Sequence, residues 1–280
     1  MFLKSRYLFI ALIACFLLES CAKKGRPSGG PKDEDAPLFV TANPPYETIN
    51  FDKNEIKIEF NEYITLKELT KQLVVSPPLK NNPLITPQGT PSKYITIKIL
   101  DTLLENSTYI FDFGKSVQDN NEGNQLEKFK YVFSTGSYID SLSVSGSVTD
   151  AFEEKTEKNI KLLLYRADST YTDSLIYKQK PNYVSSTLDS TVFNFSNLAA
   201  GKFYLFALED KSSDYFFDPK VDKIGIYPRV ISIPGDSILE KPIELFKEQL
   251  PYQFKRGKEF VKGKVSVLFF FTVKLYVFIH

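Results

Sequence analysis

The 280-residue chain has almost none of the residues that most enzyme active sites and metal centres use. It contains one histidine, His280 at the last position, two cysteines, Cys15 and Cys21, and no tryptophan. A single terminal histidine excludes histidine-based catalytic triads, histidine metal clusters and most general acid–base catalysis. Two cysteines near the N-terminus exclude a disulfide framework and a cysteine-ligated zinc site. We therefore expect no enzyme activity and no cofactor.

An excess of one charge is also missing, since 35 Lys and Arg face 34 Asp and Glu, a net charge of about +1. A nucleic-acid-binding protein gathers positive charge against phosphates, so the composition predicts no nucleic-acid partner. Hydrophobic residues make up 42% of the chain, enough for one or two domains with real cores. The 24 Phe and 16 Tyr suit either sandwich cores or a sugar-stacking surface, and the absence of Trp favours cores.

A hydrophobic run at the N-terminus predicts export. Lys4 and Arg6 precede an apolar stretch from Tyr7 to Leu18. A basic start and an apolar segment of this length are typical of a secretory signal peptide, and the segment is too short for a membrane-spanning helix. We assign residues 1–20 to this signal.

The sequence Leu18-Glu19-Ser20-Cys21 resembles the lipobox of bacterial lipoproteins, which has Leu three residues before the lipid-bearing cysteine and a small residue directly before it. The resemblance implies cleavage after Ser20, acyl chains such as palmitate on Cys21, and a lasting anchor in the bacterial outer membrane. Leu12-Ile13-Ala14-Cys15 is an alternative box. Cleavage there would leave the apolar residues Phe16-Leu17-Leu18 on the mature protein, so we prefer Cys21.

Residues 21–37 are rich in Gly, Pro and charge and have no apolar periodicity, which predicts a lipidated, flexible tether. Within it, Lys32-Asp33-Glu34-Asp35 resembles the acidic export signals of surface-exposed lipoproteins in Bacteroidota-type bacteria. The alternative is a plain solvated linker. Surface-exposed and periplasm-facing locations both stay open.

From Leu38 on, apolar residues recur mostly at every second position, the period of a half-buried β-strand. Turn-forming clusters such as Asn43-Pro44-Pro45 and Asp119–Asn124 separate these runs. Only Thr65–Leu73 suits a short helical turn. The pattern predicts an all-β fold with two antiparallel β-sandwich domains. The predicted strands include Ile56–Phe60, Lys93–Ile99, Thr108–Phe113, Phe129–Phe133, Ser141–Val148, Ile160–Tyr165, Thr191–Phe195, Phe203–Glu209 and Arg229–Ile233.

Two stretches each carry a family resemblance. Leu104–Tyr109, Asp119–Asn124 and Phe133–Gly136 follow one another as do the closing motifs of the bacterial Ig-like domain of S-layer-type proteins. Residues 38–137 resemble that domain, which implies an Ig-like sandwich without catalytic residues. Phe193–Leu205 resembles the signature of prealbumin-like domains, the accessory modules of carboxypeptidase regulatory regions. This resemblance implies a second sandwich over residues 138–247.

Residues 248–280 form an atypical tail. It is basic at first and then hydrophobic over the 15 residues Val265–Ile279, with Lys274 inside the run. A spanning helix needs about 17–25 apolar residues, more than this run offers. Three interpretations stay open: a truncated or frameshifted continuation, a last strand that packs, and a membrane role.

Asp210, Asp214 and Asp218, followed by Asp222, gather carboxylates after a predicted strand. Calcium prefers such hard oxygen ligands, so the first three are candidate calcium ligands. The EF-hand positions for Gly and Glu hold Tyr215 and Val221 instead. Aspartates also form turns by accepting backbone amides, and this interpretation, with no metal, is the preferred one.

An Asp-Ser or Asp-Thr pair followed by a small or aliphatic residue, or by Thr, occurs six times. The pattern resembles the O-glycosylation acceptor motif of exported proteins from the same bacterial group. The alternative is that these pairs start turns before strands. The candidate acceptors are Thr102, Ser141, Ser169, Ser174, Ser190 and Ser237.

Together these patterns predict a non-catalytic envelope lipoprotein with a structural or protein-interaction role. Its partners would be the membrane, through the lipid, and envelope proteins or a glycan. The alternative is a surface adhesin that binds glycan or protein ligands through its sandwich loops.

Overall fold

The structure is a computed structural model that describes residues 32–248, 254–261 and 264–269, the last two ranges by their backbone. The chain divides into two compact units, Met1–Asp35 and Ala36–His280. The predicted signal peptide, Cys21, most of the tether and the end of the tail lie outside the described residues. The fold below belongs to the unit that begins at Ala36.

Strands dominate the described residues, and two four-residue helices, α1 (Leu69–Gln72) and α2 (Leu175–Lys178), accompany them. The strands are β1 (Phe39–Asn43), β2 (Glu55–Leu66), β3 (Val74–Ser76), β4 (Leu84–Thr86), β5 (Ser92–Lys98), β6 (Thr108–Asp112), β7 (Val117–Asp119), β8 (Lys130–Ser134), β9 (Leu142–Asp150), β10 (Lys161–Arg166), β11 (Tyr183–Ser186), β12 (Val192–Leu198), β13 (Gly201–Glu209), β14 (Lys223–Ile226), β15 (Ile231–Ile233), β16 (Ile243–Leu245), β17 (Phe254–Val261) and β18 (Lys264–Phe269).

The first sandwich packs a sheet of order β1-β2-β5-β4, with β7 paired to the end of β2, on a sheet of order β3-β6-β8. The alternation read from the sequence explains the packing. Ile56, Ile58 and Phe60 of β2 are buried at every second position, as a strand with one covered face requires. They share a core with aromatic residues of the facing sheet, including Phe111 of β6 and Phe133 of β8.

The second sandwich packs a sheet of order β11-β10-β13-β14, with β15 paired to β13, on a sheet of order β12-β9-β16. Every pairing in it is antiparallel except that of β16 with β9, which is parallel. The core between the sheets includes Val144 and Val148 of β9 and the pair Phe193 and Phe195 of β12.

The sheet β11-β10-β13-β14 is buried on both faces. Leu162 and Leu164 of β10 belong to the core shared with β9, whereas Leu163 and Tyr165 belong to a separate apolar cluster on the opposite face. A strand covered on both faces needs apolar side chains at nearly every position. This is why β10 reads in the sequence as a continuous hydrophobic run rather than an alternating one.

The predicted all-β fold is confirmed. A helical turn lies within Thr65–Leu73, as α1, whereas α2 was not predicted. Its sequence, Leu-Ile-Tyr-Lys, is too short to show a helical period. No helix of the described ranges is long and apolar enough to span a bilayer. The start of the hydrophobic tail lies in β18, which pairs with β17 in an antiparallel hairpin.

The turn after β7 is organised around one carboxylate. Asp119, which is 3% exposed, accepts backbone N–H groups through both oxygens. The four donors are the amides of Asn121, Glu122, Gly123 and Asn124, at 2.7–3.1 Å. Burial alone would raise the pKa of Asp119, but these four hydrogen bonds hold it below its ordinary value. The segment predicted to be a turn is therefore a loop wrapped around a buried anion.

Replacing this anion should destabilise the protein in a pH-dependent way. We expect Asp119→Asn to lower the free energy of unfolding at pH 7 by about 1–3 kcal/mol, because it weakens charge-assisted hydrogen bonds to buried amides. A depressed carboxyl pKa stabilises the fold above the unfolded-state pKa of about 3.9 and loses this contribution as the pH falls. Denaturant titrations at pH 7 and pH 3 should show the difference shrinking at pH 3. Glu122→Gln, an exposed change in the same turn, is the control, and an equal loss in both variants would contradict the assignment.

Candidate functional site

The two sandwiches meet in a buried apolar junction. Val74 of β3, in the first sandwich, belongs to the same apolar cluster as Leu163, Val184 and Phe206 of the second. Helix α2 adds Leu175 and Ile176 to this cluster. The outer face of the sheet β11-β10-β13-β14 is thus covered partly by its own helix and partly by the neighbouring sandwich.

One polar contact crosses the centre of the junction. The hydroxyl oxygen of Ser76 in β3 accepts the backbone N–H of Val184 in β11 at 3.0 Å, and both residues are buried. Each of these strands is an edge of its sheet. An unpaired edge exposes backbone groups that can recruit foreign strands. The junction therefore covers two edges at once.

Further polar contacts tie the rim of the junction. The Lys115 ammonium lies 3.1 Å from the Asp189 carboxylate, which raises the pKa of Lys115. The Thr108 hydroxyl donates to the Asp140 carboxylate at 2.9 Å and accepts the Asp140 N–H at 2.8 Å. The Asn197 amide donates to the Asp140 carbonyl at 2.8 Å. Asp140 thus joins the connecting segment to both sandwiches.

A cavity of about 220 Å³ lies beside the junction. The first sandwich supplies most of its wall through α1, β3, β4 and the segments between them, and the second adds two lysines and part of the loop after β13. Its apolar lining is Leu69, Leu73, Val75, Pro78, Leu79, Pro83 and Ile85. Its polar lining is Thr70, Asn82, Gln88, Lys161, Lys180, Ser213 and Tyr215.

Lys161 is a buried lysine in the lining of this cavity. It opens β10 and is 6% exposed, and its ammonium donates to the backbone carbonyl of Lys71 at 3.3 Å. Burial lowers the pKa of Lys161 to about 8, although the charges of Asp210 and Asp112 act in the opposite direction. Lys180 donates to the carbonyl of Leu79 at 2.6 Å. Both lysines thus bridge the sandwiches through backbone oxygens rather than through carboxylates.

The candidate calcium ligands bond to backbone amides of their own loop. Asp210 accepts the N–H groups of Ser212, Ser213 and Tyr215, and burial raises its pKa. Asp214 accepts that of Phe216, and Asp218 that of Lys220. Within the described ranges, no group of three or more His, Cys, Asp or Glu side chains could hold a metal ion. The backbone hydrogen bonds that these aspartates accept are of the kind that the turn interpretation expects.

The candidate glycosylation hydroxyls differ in accessibility. Five of them are exposed and Ser174 is half-buried. Five of the six preceding aspartates form hydrogen bonds or ion pairs in the fold, as when Asp236 forms a two-bond ion pair with Arg229 that lowers the pKa of Asp236 to about 2. This structural use suits the turn interpretation and leaves most of the hydroxyls free for a modifying enzyme. The five exposed residues are Thr102, Ser141, Ser169, Ser190 and Ser237.

Comparison with known families assigns the first sandwich. The model of the bacterial Ig-like domain matches residues 33–135. This part of the chain is a bacterial Ig-like domain. The assignment agrees with the two packed sheets formed by β1–β8 and with the closing motif at Phe133–Gly136. No curated protein matches the chain.

Several solved structures are similar at low identity. The N-terminal part of the bacterial S-layer protein SbsC is 12% identical over 62% of this chain and 40% of that one, with a TM-score of 0.24. BcpA, the major pilin subunit of Bacillus cereus, is 12% identical over 76% of this chain and 71% of that one, also with a TM-score of 0.24. The S-layer protein rSbsC(31-844) is 13% identical over 80% of this chain and 27% of that one, with a TM-score of 0.25. The chain thus spans about two fifths of the first S-layer structure.

Sequence reasoning did not find the junction or its cavity. The one available signal was Lys161, a lysine inside the hydrophobic run Ile160–Tyr165, where a charged residue is unexpected. The sequence gives no such signal at Ser76 or Lys180, because their hydrogen-bond partners lie 108 and 101 residues away along the chain.

The contact between β3 and β11 should contribute measurably to stability. Ser76→Ala removes the acceptor and leaves the Val184 N–H buried without a partner, so we expect a loss of about 1–3 kcal/mol in the free energy of unfolding. Denaturant unfolding of the purified protein measures the loss. Ser212→Ala, an exposed serine of the Asp210 loop, is the control and should change stability by less than about 0.5 kcal/mol. A wild-type midpoint for Ser76→Ala would show that the junction does not depend on this bond.

Proposed function

We propose that this chain is a bacterial outer-membrane lipoprotein that acts as a spacer and interaction module, without catalysis. Lipid on Cys21 would hold it to the membrane, and residues 22–37 would raise an Ig-like sandwich and a second, prealbumin-like sandwich above the bilayer. Exposed edge strands and loops would then contact envelope proteins. In this proposal the domains are residues 38–137 and 138–247.

The observation that carries the proposal is the buried junction. The two sandwiches lie in one compact unit and are joined by an apolar cluster, by Ser76 and by the Asp140 contacts. A buried apolar interface opposes relative motion of two domains, and this suits a spacer that presents its loops at a defined position. The bacterial Ig-like domain at residues 33–135 supports a structural role of this kind. The similarity to S-layer and pilin proteins agrees with a cell-envelope location and adds no separate argument.

The anchor can be tested with a matched pair of variants. Metabolic labelling with palmitate should mark the wild-type protein and Cys15→Ala, and it should fail to mark Cys21→Ala, which loses the acceptor thiol. Wild type and Cys15→Ala should fractionate with the outer membrane, and Cys21→Ala should not. Labelling of Cys21→Ala, or its retention in the outer membrane, would disprove the anchor at this residue.

Display and role can be separated in intact cells. Protease shaving that removes the protein while a periplasmic marker survives indicates surface display, and protection indicates a periplasm-facing location. In-cell crosslinking of the wild-type protein should then capture envelope proteins as neighbours. Its failure in both compartments would contradict the interaction role.

A second candidate function, glycan binding by an adhesin, rests on one open hollow. Tyr63 is 58% exposed beside a hollow of about 490 Å³. Asn61 and Asn120 line the same hollow, and the Asn120 N–H donates to the Tyr63 carbonyl at 2.9 Å. An exposed aromatic ring beside side-chain amides offers a stacking face and hydrogen bonds to sugar hydroxyls. The loop around Asp119 sets the position of the Asn120 amide.

Glycan binding at this hollow predicts a sharp difference between two exposed tyrosines. Tyr63→Ala should abolish binding on a glycan array, because it removes the stacking face. Tyr138→Ala, in which the original ring is 61% exposed and lies outside the hollow, should leave binding unchanged. Equal signals from both variants, or none from the wild type, would exclude the hollow as an adhesin site.

A further inference from the structure

The cavity beside the junction combines apolar side chains with positive charge. Lys161 and Lys180 line it, and no Asp or Glu is among the described residues that do. The chain as a whole is nearly neutral, so this local excess reflects where the fold places the lysines. Charge complementarity therefore selects an anion as the occupant.

The Lys161 ammonium has bonding capacity left over. An ammonium group has three donors, and Lys161 directs one of them to the Lys71 carbonyl at a long 3.3 Å. No ion pair joins Lys161 to a carboxylate within the described part of the chain. A buried charge without a close counter-ion is costly, and an anionic ligand in the cavity would remove that cost.

The apolar side chains of the wall suit an apolar body for the ligand. Hydrocarbon comes from Leu73 directly after α1, from Val75 of β3 and from Ile85 of β4. A cavity of about 150 Å³ lined by such side chains holds benzene. The volume of about 220 Å³ therefore accepts a short aliphatic chain or an aryl-alkyl group, and it is too small for a folded partner.

We propose that this cavity binds a small monocarboxylate with an apolar body, its carboxylate on the Lys161 ammonium and its hydrocarbon against Leu73, Val75 and Ile85. Such a ligand would contact both sandwiches and so would stabilise the junction. The site is independent of the membrane anchor and of the spacer role proposed above.

Calorimetric titration of the full-length chain carrying Cys21→Ala, which avoids detergents that compete for an apolar site, tests the proposal. Octanoate and 3-phenylpropanoate probe an aliphatic and an aromatic body, and 1-octanol is the uncharged analogue. We expect at least one acid to bind at millimolar concentration or below, and 1-octanol to bind at least about tenfold more weakly than octanoate. Absence of binding by both acids, or equal binding of octanoate and 1-octanol, would overturn the proposal.

A variant pair locates the site. Lys161→Met keeps the length of the side chain and removes its charge, so it should weaken binding of the acid at least about tenfold. Because it also removes a buried charge, its thermal midpoint should equal or exceed that of the parent protein. Lys202→Met, an exposed lysine on β13, should leave affinity unchanged. Parent-like affinity in Lys161→Met would overturn the assignment of the carboxylate to this lysine.

The pH dependence of ligand affinity is a test that uses the parent protein alone and no Lys161 variant. Lys161 loses its proton above its pKa of about 8, so affinity for the acid should hold at pH 7 and fall steadily towards pH 9.5. The charged and titratable groups facing Lys161 are Asp210, Asp112, Lys180 and Tyr215. Burial raises the pKa of Tyr215 to about 12, which keeps it neutral over this range. An affinity that stays flat from pH 7 to pH 9.5 would overturn the role of Lys161.

Discussion

Burial of the sheet β11-β10-β13-β14 on both faces is the constraint on which the rest of this molecule depends. One face closes the core of the second sandwich, and the other packs against α2, the loop after β13 and Val74 of the Ig-like domain. Alternate residues of one strand therefore belong to two different cores. Since apolar burial is the main favourable term in folding, separating the sandwiches would expose apolar side chains of this outer face to water. The junction follows from the composition of β10 and β13.

Two carboxylates and two lysines of this chain form their hydrogen bonds with backbone groups, in different parts of the molecule. Asp119 and Asp210 each accept several backbone N–H groups of their own loop. The hydrogen-bonding capacity of these carboxylates is thus used within the loop. The ammonium groups of Lys161 and Lys180 donate across the junction to backbone carbonyl oxygens. Among the described residues, neither lysine forms an ion pair with a carboxylate. A nearly neutral sequence thus contains a cavity lined by apolar side chains and two lysines, with no carboxylate among its described lining residues. The local electrostatic potential in this protein depends on where the fold places the charged side chains and not on the net charge of the sequence.

The proposed functions use separate parts of the molecule. A spacer depends on the rigid junction, an adhesin on the hollow at Tyr63 and Asn120, and the inferred ligand site on the cavity at Lys161. A bound carboxylate would stabilise the same junction that gives a spacer its rigidity, because it would contact both sandwiches. The Asp119 loop similarly couples the stability of the Ig-like domain to the shape of the hollow, since the turn that holds Asn120 is built on that carboxylate.

Local patterns were sufficient to predict the all-β class, because strand alternation and turn motifs depend on residues a few positions apart, whereas the Ig-like domain was expected from the resemblance of its closing motifs to a known family. Ile56, Ile58 and Phe60 are buried as their spacing predicts, and Asp119–Asn124 is a turn. Several short strands, β4 and β14 among them, were missed because three or four residues hold too little periodicity. Only the tertiary structure decided that Ser76 meets Val184, that β10 has two buried faces and that Lys161 lines a cavity. Those contacts join residues about a hundred positions apart, and a sequence read locally holds no record of which distant segments will pack together.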